Sequence, residues 1–371
     1  MIYADHRIEA AGMEKERAIP PVLSTYMDVL RVGAAIAVLI DHLLLRRYHG
    51  TLLDLNAGVD FGSDAVMVFF AISGFVIAHA AMNRSAGAFA FARLTRLWSV
   101  MLPAVVLTFV LDAWGRAVNP NAYEGGFFNP LAFHEYVFFG LTFSNEWLWQ
   151  SSRIGINGPL WSLSYEAAYY ILFAIALYLR DWWRWAALAA GAALFGPFVL
   201  LYLPAWLAGV AAYFALMRRV ALPRPLLWLG VAGPVLIYAL AIAAGHPSGS
   251  TGLFPRLGFQ QHLFWDLTLS VLTAVQLFCV GTLFRTTQMR PIPAIAWLAG
   301  ASFSLYVCHF PLVQITSVMT GWTGAPFIMA GCVTSIVGSL MFAHVFERPL
   351  PWLRRRIGIQ LGAYFGSSAK A

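Results

Sequence analysis

Residues 31–42 read RVGAAIAVLIDH, an apolar run that opens with Arg31 and closes with Asp41 and His42. The run lies within a longer apolar stretch, residues 27–45, which is long enough to cross the hydrocarbon core of a bilayer as one helix. Charged groups within a membrane are costly and usually face other helices or a water-filled cavity. The stretch therefore predicts a transmembrane helix whose charged residues face a polar interior.

The whole chain has the composition of a multi-pass membrane protein. Of its 371 residues, 60% are hydrophobic and 11% are charged, and the mean hydropathy is +0.69. A soluble domain has roughly 25% charged residues. We therefore predict an all-α integral membrane protein. The net charge of +7 would also suit nucleic-acid binding, but most arginines lie in short loops where they set membrane topology, so we expect no nucleic-acid partner.

Ten stretches are candidate membrane crossings, at about 17 to 25 residues for each. They are residues 27–45, 63–82, 97–113, 160–179, 185–202, 203–217, 226–244, 262–284, 293–315 and 327–346. The fifth and sixth stretches are nearly continuous and Pro204 lies close to their junction. Because proline interrupts helices, we predict a helical hairpin with a very short turn at this position.

The distribution of basic residues orients the predicted helices. With a cytoplasmic amino terminus, ten loop arginines fall inside and five fall outside. Because cytoplasmic loops carry the excess of Lys and Arg, we expect both termini in the cytoplasm. The predicted domains are a cytoplasmic tail at 1–26, a transmembrane domain at 27–346 and a basic cytoplasmic tail at 347–371. Residues 1–26 lack the apolar core of a signal peptide, and we expect a multi-pass protein of the inner (cytoplasmic) membrane.

Two longer loops are predicted on the outer side, at 114–159 and 245–261. The segment LAFHEYVFFGLTF at 131–143 is too short to span and predicts an interfacial or re-entrant element. The three cysteines lie within apolar spans and lack the spacing of a metal site, so we expect neither structural disulfides nor a bound metal.

Arg31 and His42 are eleven residues apart, which places them within about 20° of one face of a helix and about 16 Å apart along its axis. Such a face suits a long, thin ligand with a charged end. Alternatively, Arg31 extends towards the membrane surface and His42 is a hydrogen-bonded polar residue. Asp41 points about 100° away from His42 and either pairs with it or faces water.

Further segments follow in a set order: FFAISGFVIA (69–78), RLTR (93–96), NGPLWSLSYEAAYY (157–170), SFSLYVCHFPL (302–312) and FERP (346–349). Together with Arg31 and His42, they resemble the motifs of the membrane-bound acyltransferase-3 family across nearly the whole chain. The chain departs from the family pattern at Met67, where many members have aspartate. Asp64, one helical turn earlier, is a candidate replacement.

The resemblance implies an O-acyltransferase that moves an acyl group, with acetyl as the expected one, from cytoplasmic acyl-coenzyme A to a hydroxyl group of an extracytoplasmic sugar or glycolipid. The acyl-coenzyme A is a substrate, and no tightly bound cofactor is expected. The acceptor, the acyl chain length, the acylated position and the oligomeric state are left open by the sequence.

The resemblance also implies a donor site. Arg93 and Arg96, adjacent on a helix surface, are expected to bind the phosphates of coenzyme A together with Arg31, since guanidinium groups pair with phosphate oxygens. Ser73 and Gly74 are expected near the same site. The alternatives are membrane anchoring for the arginines and plain helix packing for Ser73 and Gly74.

For catalysis, His42 is the predicted general base, since a neutral imidazole can take a proton from an attacking hydroxyl group. Glu166 is predicted to orient His42 or to bind the acceptor, with a structural ion pair as the alternative. Direct transfer needs no covalent intermediate, but an acylated enzyme stays an alternative because several serines lie in the motifs. They are Ser73, Ser162, Ser164 and Ser304.

Four residues are predicted on the acceptor side, Trp161, Tyr165, Tyr306 and His309. Aromatic residues at a membrane interface commonly form a belt, and this alternative applies to Trp161 and Tyr306. At the level of the whole protein, the alternative function is a transporter or exporter of lipid-linked or acylated molecules, although the sequence shows no inverted repeat. A membrane sensor or scaffold would leave the ordered charged motifs unexplained.

Overall fold

A computed structural model describes residues 18–49, 61–82, 84–124, 126–148, 150–245, 262–352, 354 and 356. Within these residues the chain is helical, and its β-structure is limited to two isolated bridges in the segment 129–157. The helices are α1 (Pro21–Leu43), α2 (Arg46–His49), α3 (Phe61–Met82), α4 (Ala86–Val118), α5 (Phe133–Thr142), α6 (Trp161–Tyr178), α7 (Asp181–Met217), α8 (Arg224–Ala243), α9 (Leu263–Leu283), α10 (Pro293–Ala299), α11 (Ser302–Thr320) and α12 (Gly324–Phe342).

Nine stretches in the described part of the chain are helical, long and apolar enough to cross a membrane. They confirm an all-α, multi-pass membrane protein. Their number is one below the ten predicted because residues 185–202 and 203–217 fall together in α7. The predicted turn at Pro204 is wrong. The helix is interrupted at Gly196, which has φ 81° and ψ 172°, and Pro204 lies within continuous helix.

The contacts of α7 show that the chain folds back at Gly196. Phe195, just before the break, packs on Trp147 of the long loop with ring centroids 4.8 Å apart. Beyond the break, Leu216 lies beside Leu23 at the start of α1. A straight helix of 37 residues would be roughly 55 Å long, well beyond the thickness of a hydrocarbon core. The two parts of α7 therefore run in opposite directions, as in the predicted helical hairpin, but the turn lies at Gly196 instead of Pro204.

Two ends of the bundle serve as reference points. The end where α1 begins and where Arg96 lies is called the arginine end. The opposite end, covered by residues 119–160, is called the loop end. Three strongly exposed tryptophans mark the start of α7 near the arginine end, as expected for side chains at a membrane interface. They are Trp182, Trp183 and Trp185.

Helix α3 forms the centre of the bundle and packs against α1, α7 and α9. Apolar residues occur on every side of this helix, which is typical of a helix surrounded by protein. Close approach to α7 depends on glycine: a Cβ at Gly74 would collide with the backbone carbonyl of Trp206, and a Cβ at Gly209 would collide with that of Ala71. The two glycines therefore let two helix backbones lie in direct contact.

The long loop is folded onto the bundle rather than extended. Asp112 near the end of α4 accepts hydrogen bonds from the Tyr136 hydroxyl (2.9 Å) and the Ile156 backbone N–H (3.1 Å). Asn157 donates to the Thr108 hydroxyl (3.0 Å) and to the Val307 carbonyl (2.9 Å). The short element predicted at 131–143 is α5, ten residues long, which packs on α4.

Further boundaries differ from prediction. The helix predicted at 97–113 is α4, which begins at Ala86 and ends at Val118. The first helix begins at Pro21 instead of residue 27, because proline is well placed in a first helical turn. The predicted span 293–315 is two helices, α10 and α11, separated by Gly300 and Ala301. After α12 the chain continues through a π-helical turn, Ala343–Glu347. The predicted outer loop 245–261 lies, except for Gly245, outside the described residues.

Candidate active site

One cavity is lined by helices α1, α3, α4, α6, α10 and α11 and has an empty volume of about 950 Å³, including the space at its mouth. Its polar lining consists of Arg31, Ser73, Arg93, Arg96, Ser162, Glu166, Tyr170, Ser302 and Tyr306. The remaining walls are apolar and come chiefly from Val66 to Ile77 of α3 and from Phe303. The cavity thus combines guanidinium groups, a carboxylate and an apolar surface.

The three arginines predicted for the donor all line this cavity, but they are held differently. Arg31 pairs with Asp28, one turn earlier on α1, at 3.3 Å. Arg96 pairs with Glu347 at 2.6 Å and lies 5.3 Å from the centre of the Phe303 ring. Arg93 makes no ion pair with any described residue, and its Nε is buried without a hydrogen-bond partner there. Its guanidinium group is therefore available for an anionic ligand.

The chain after α12 helps to build the arginine end, a role that was not predicted from the sequence. Glu347 is 3% exposed, and its second carboxylate oxygen accepts from the Ser304 hydroxyl (2.5 Å) and backbone N–H (3.2 Å). Arg354 donates to the Thr95 hydroxyl (2.7 Å) and the Ala92 carbonyl (2.5 Å). Burial, together with the charges of neighbouring arginines, lowers the pKa of Arg354 to about 10. The FERP motif was the available signal for Glu347.

Glu166 is the acceptor of a compact hydrogen-bonded group on the cavity wall. Its Oε1 accepts from the Ser73 hydroxyl and from the Tyr170 hydroxyl, both at 2.5 Å. Trp206 donates its ring N–H to Ser73 Oγ at 3.2 Å. Ser73 therefore lines the cavity and is tied to Glu166, whereas Gly74 faces Trp206 and serves helix packing. Tyr170, four positions beyond Glu166, is a further cavity residue that was not predicted from the sequence.

His42 does not line the cavity; its ring pairs with His309. His42 Nδ1 lies 3.2 Å from His309 Nε2, and the two ring centroids are 4.9 Å apart. His309 is fully buried, and its ring lies 6.2 Å from that of Tyr306, which does line the cavity. The Tyr306 hydroxyl is held by Ser162 (2.7 Å) and by the Pro159 carbonyl (2.8 Å). The histidine pair therefore lies behind Tyr306, one ring away from the cavity.

Trp161 and Tyr165 belong to an aromatic cluster beside the cavity. Their rings are 5.0 Å apart, and both contact Phe70 of α3 and Tyr202 of α7. Tyr165 is fully buried. Neither side chain lines the cavity. The acceptor-side role of these two residues stays a prediction.

Asp64 does not take the place of the aspartate missing at Met67. Its carboxylate accepts from the Tyr238 hydroxyl (2.9 Å) and the Trp265 ring N–H (2.8 Å), which belong to α8 and α9. It therefore connects helices on the side of α3 away from the cavity lining.

No group of three His, Cys, Asp or Glu side chains in the described residues could hold a metal ion.

The fold and the cavity define a class: a multi-pass membrane protein with a mixed cationic and apolar cavity enclosed by its helices. Residues 24–344 match the acyltransferase-3 family, which is described as an acyltransferase domain. Since the match covers most of the chain, the protein belongs to this family of acyltransferases. No solved structure shows a significant match to the chain.

Three curated relatives illustrate the family. The chain is 31% identical over 191 residues to acyltransferase MdmB of Streptomyces mycarofaciens, covering 47% of this chain and 46% of the relative. It is 28% identical over 169 residues to an O-acetyl transferase of Shigella phage Sf6, covering 42% of this chain and 46% of the relative. It is 26% identical to the exopolysaccharide production protein ExoZ of Rhizobium meliloti, with coverage of 79% and 90%. The matched regions thus span about half the length of the first two relatives.

Proposed function

We propose that this protein is a membrane O-acyltransferase that moves an acyl group, with acetyl as the expected one, from acyl-coenzyme A to a carbohydrate hydroxyl group. The observation that carries the proposal is the cavity in which Arg31, Arg93 and Arg96 share one enclosed space with Glu166. Such a space offers cations to a phosphate-rich donor and an apolar path to its acyl-bearing arm. Family membership and the name O-acetyl transferase of one relative support the reaction class.

The donor would bind with its phosphates at the arginines. Guanidinium groups form forked, charge-assisted hydrogen bonds with phosphate oxygens. Arg93 is the principal candidate because its Nε has no partner among the described residues. Arg96 is already oriented by Glu347 and Phe303, so it loses little conformational freedom on binding. The pantetheine arm would then run along the apolar wall formed by α3 and Phe303.

In the proposed reaction, the acceptor oxygen attacks the thioester carbonyl carbon, the carbon–sulfur bond breaks and coenzyme A leaves. His42 takes the proton of the acceptor hydroxyl and returns it to the departing thiolate. Glu166, on the cavity wall, would hold an acceptor hydroxyl through its carboxylate. Because His42 lies behind Tyr306 and outside the cavity lining, the acyl group would have to pass Tyr306 and meet the acceptor at the His42 ring.

The acceptor class is proposed from the relatives. ExoZ is named for exopolysaccharide production, and the match spans 90% of its length. We propose that the acceptor is an extracytoplasmic sugar hydroxyl or glycolipid and that the donor is cytoplasmic. The protein would lie in the inner membrane with both termini in the cytoplasm. The excess of basic residues in the predicted inner loops supports this orientation.

The reaction is tested with purified protein in detergent, labelled acetyl-coenzyme A and a panel of sugar acceptors. We expect labelled acceptor and an equal amount of free coenzyme A. A transporter would release no coenzyme A, and that result would refute the proposal. His42→Ala is expected to abolish transfer while preserving donor binding, and full activity of this variant would remove His42 from the mechanism. Glu166→Gln is expected to raise the KM for the acceptor.

The donor site is tested by measuring acetyl-coenzyme A affinity in arginine variants. Arg93→Ala and Arg96→Ala should each weaken binding by about 1.5 to 3 kcal/mol, the typical value of a hydrogen bond to a charged group. Arg116→Ala, at an exposed position near the loop end of α4, is the matched control and should bind the donor normally. If all three variants bind acetyl-coenzyme A with equal affinity, Arg93 and Arg96 do not bind the donor and instead anchor the protein in the membrane.

A further inference from the structure

The half-buried His42 of α1 and the fully buried His309 of α11 share a hydrogen-bonding pattern. His42 Nδ1 lies 2.8 Å from the Val38 carbonyl, and His309 Nδ1 lies 3.0 Å from the Leu305 carbonyl. Each ring is thus bonded to the backbone of the preceding turn of its own helix. The rings then meet through His42 Nδ1 and His309 Nε2, 3.2 Å apart.

This pattern determines where the protons lie. A carbonyl oxygen can only accept a hydrogen bond, so the Nδ1 atoms of both His42 and His309 must carry hydrogen. In a neutral imidazole the other nitrogen is then unprotonated. His309 Nε2 is therefore an acceptor, and the Nδ1–H of His42 is shared between the Val38 carbonyl and His309. The remaining lone pair of His42 lies on Nε2.

We propose that His309 is a positioning residue that holds His42 in the Nδ1–H tautomer and thereby directs the lone pair of His42 Nε2 to the acceptor hydroxyl. The inference rests on the proposed function, in which His42 is the general base. The proton of the acceptor hydroxyl moves to Nε2 as the new carbon–oxygen bond forms, and the same Nε2–H then protonates the coenzyme A sulfur after the carbon–sulfur bond breaks. His309 neither gains nor loses a proton in this sequence.

The surroundings of the pair keep the two rings in register. His309 is fully buried, and Phe310 meets the His42 ring edge-on with centroids 4.7 Å apart. Tyr306 contacts the His309 ring, with the two ring centroids 6.2 Å apart. Because α1 and α11 pack directly against each other, the separation of the two rings is set by helix packing. The arrangement of the two rings is therefore set by the packing of α1 against α11.

The first test compares turnover and KM in matched variants of the full-length protein in detergent. His309→Gln retains an acceptor for the His42 Nδ1–H through its amide oxygen, whereas His309→Met has a similar length and lacks a strong one. We expect His309→Met to lower kcat by at least about tenfold, part of the roughly 10²- to 10⁴-fold contribution of a general base. His309→Gln should recover kcat to within about threefold of the native enzyme, and the KM for the donor should be unchanged in both.

The second test reads the tautomer directly. In protein with ¹⁵N-labelled histidine, the ¹⁵N chemical shifts of His42 should show a protonated Nδ1 and an unprotonated Nε2, with His42→Ala providing the assignment. The reverse tautomer in the native protein would overturn the proposal, as would unchanged kcat in a folded His309→Met variant. If His42→Ala is fully active, the proposal that His42 is the general base is wrong. This result differs from the results that would refute the role of His309, so the two proposals are tested separately.

Discussion

The contact between α3 and α7 gives a sharp prediction about packing, because two glycines that look alike in the sequence meet different surroundings. At Gly74, a Cβ would overlap the carbonyl oxygen of Trp206 and lie 3.1 Å from its carbonyl carbon and 3.2 Å from the Val210 nitrogen. All three atoms belong to the backbone, so no side-chain rotation can relieve the overlap. At Gly33 of α1, nothing lies within 4 Å of the same added atom.

The magnitudes follow from two opposing effects of the change to alanine. Alanine favours a helix over glycine by roughly 0.5 to 1 kcal/mol, and this gain applies at both sites. Overpacking costs about 1 to 3 kcal/mol and sometimes more, and it applies only at Gly74. We therefore expect Gly33→Ala to be neutral or slightly stabilising and Gly74→Ala to be less stable than Gly33→Ala by about 1 to 3 kcal/mol.

The assay is thermal unfolding in detergent, followed by the loss of the monodisperse peak in size-exclusion chromatography. Both variants are compared with the native protein at the same detergent concentration. Acetyl-coenzyme A affinity is then measured well below the unfolding transition, where Gly74→Ala should bind the donor if the residue acts only in packing. Equal unfolding midpoints for the two variants would refute the assigned contact between helix backbones.

Two other sites give further predictions. Glu347→Ala should destabilise the protein by about 1 to 3 kcal/mol because Arg96 and Ser304 lose a buried acceptor. Glu124→Ala, at an exposed position, is the control and should have little effect. Equal stability of the two variants would contradict this account. Burial raises the pKa of Glu146 to about 7, so the native state favours its protonated form. The contribution of Glu146 to stability should therefore be fully present at pH 4.5 and below, and it should be lost as the pH rises through about 7, a change on the order of 3 kcal/mol. In unfolding measurements from pH 5 to 8, Glu146→Gln should reduce this slope, and an unchanged slope would show that Glu146 is ionised when folded.

The apolar pattern predicted the helical class and most helix positions because each span must satisfy its backbone hydrogen bonds within the membrane. It misplaced the break in α7. Pro204 lies within the helix, whereas the chain turns at Gly196, directly before Pro197. The Gly–Pro pair was the stronger turn signal, since glycine supplies the positive φ and proline restrains the residue before it. Proline alone is tolerated within a membrane helix, so it marks a break less reliably.

For the site, helical spacing predicted that Arg31 and His42 share a face, but it could not show what lies between them and the cavity. Arg31 reaches the cavity directly, while His42 is separated from it by His309 and Tyr306 of α11. That helix follows α1 by some 260 residues, so the arrangement depends on helix packing that local periodicity does not encode. Arg93, Arg96 and Glu166 were predicted through motifs and do share the cavity.

The electrostatics of the arginine end explain why a carboxylate far along the chain belongs to the site. Three guanidinium groups in one cavity repel each other, and this repulsion is strong where water is partly excluded. Asp28 and Glu347 each pair with one of them, at positions where the pair also fixes the direction of the arginine side chain. Arg93 is left without an ion pair among the described residues, and Arg354 adds a further positive charge nearby. The arginine end thus still carries an excess of positive charge, which a phosphate-bearing donor would neutralise.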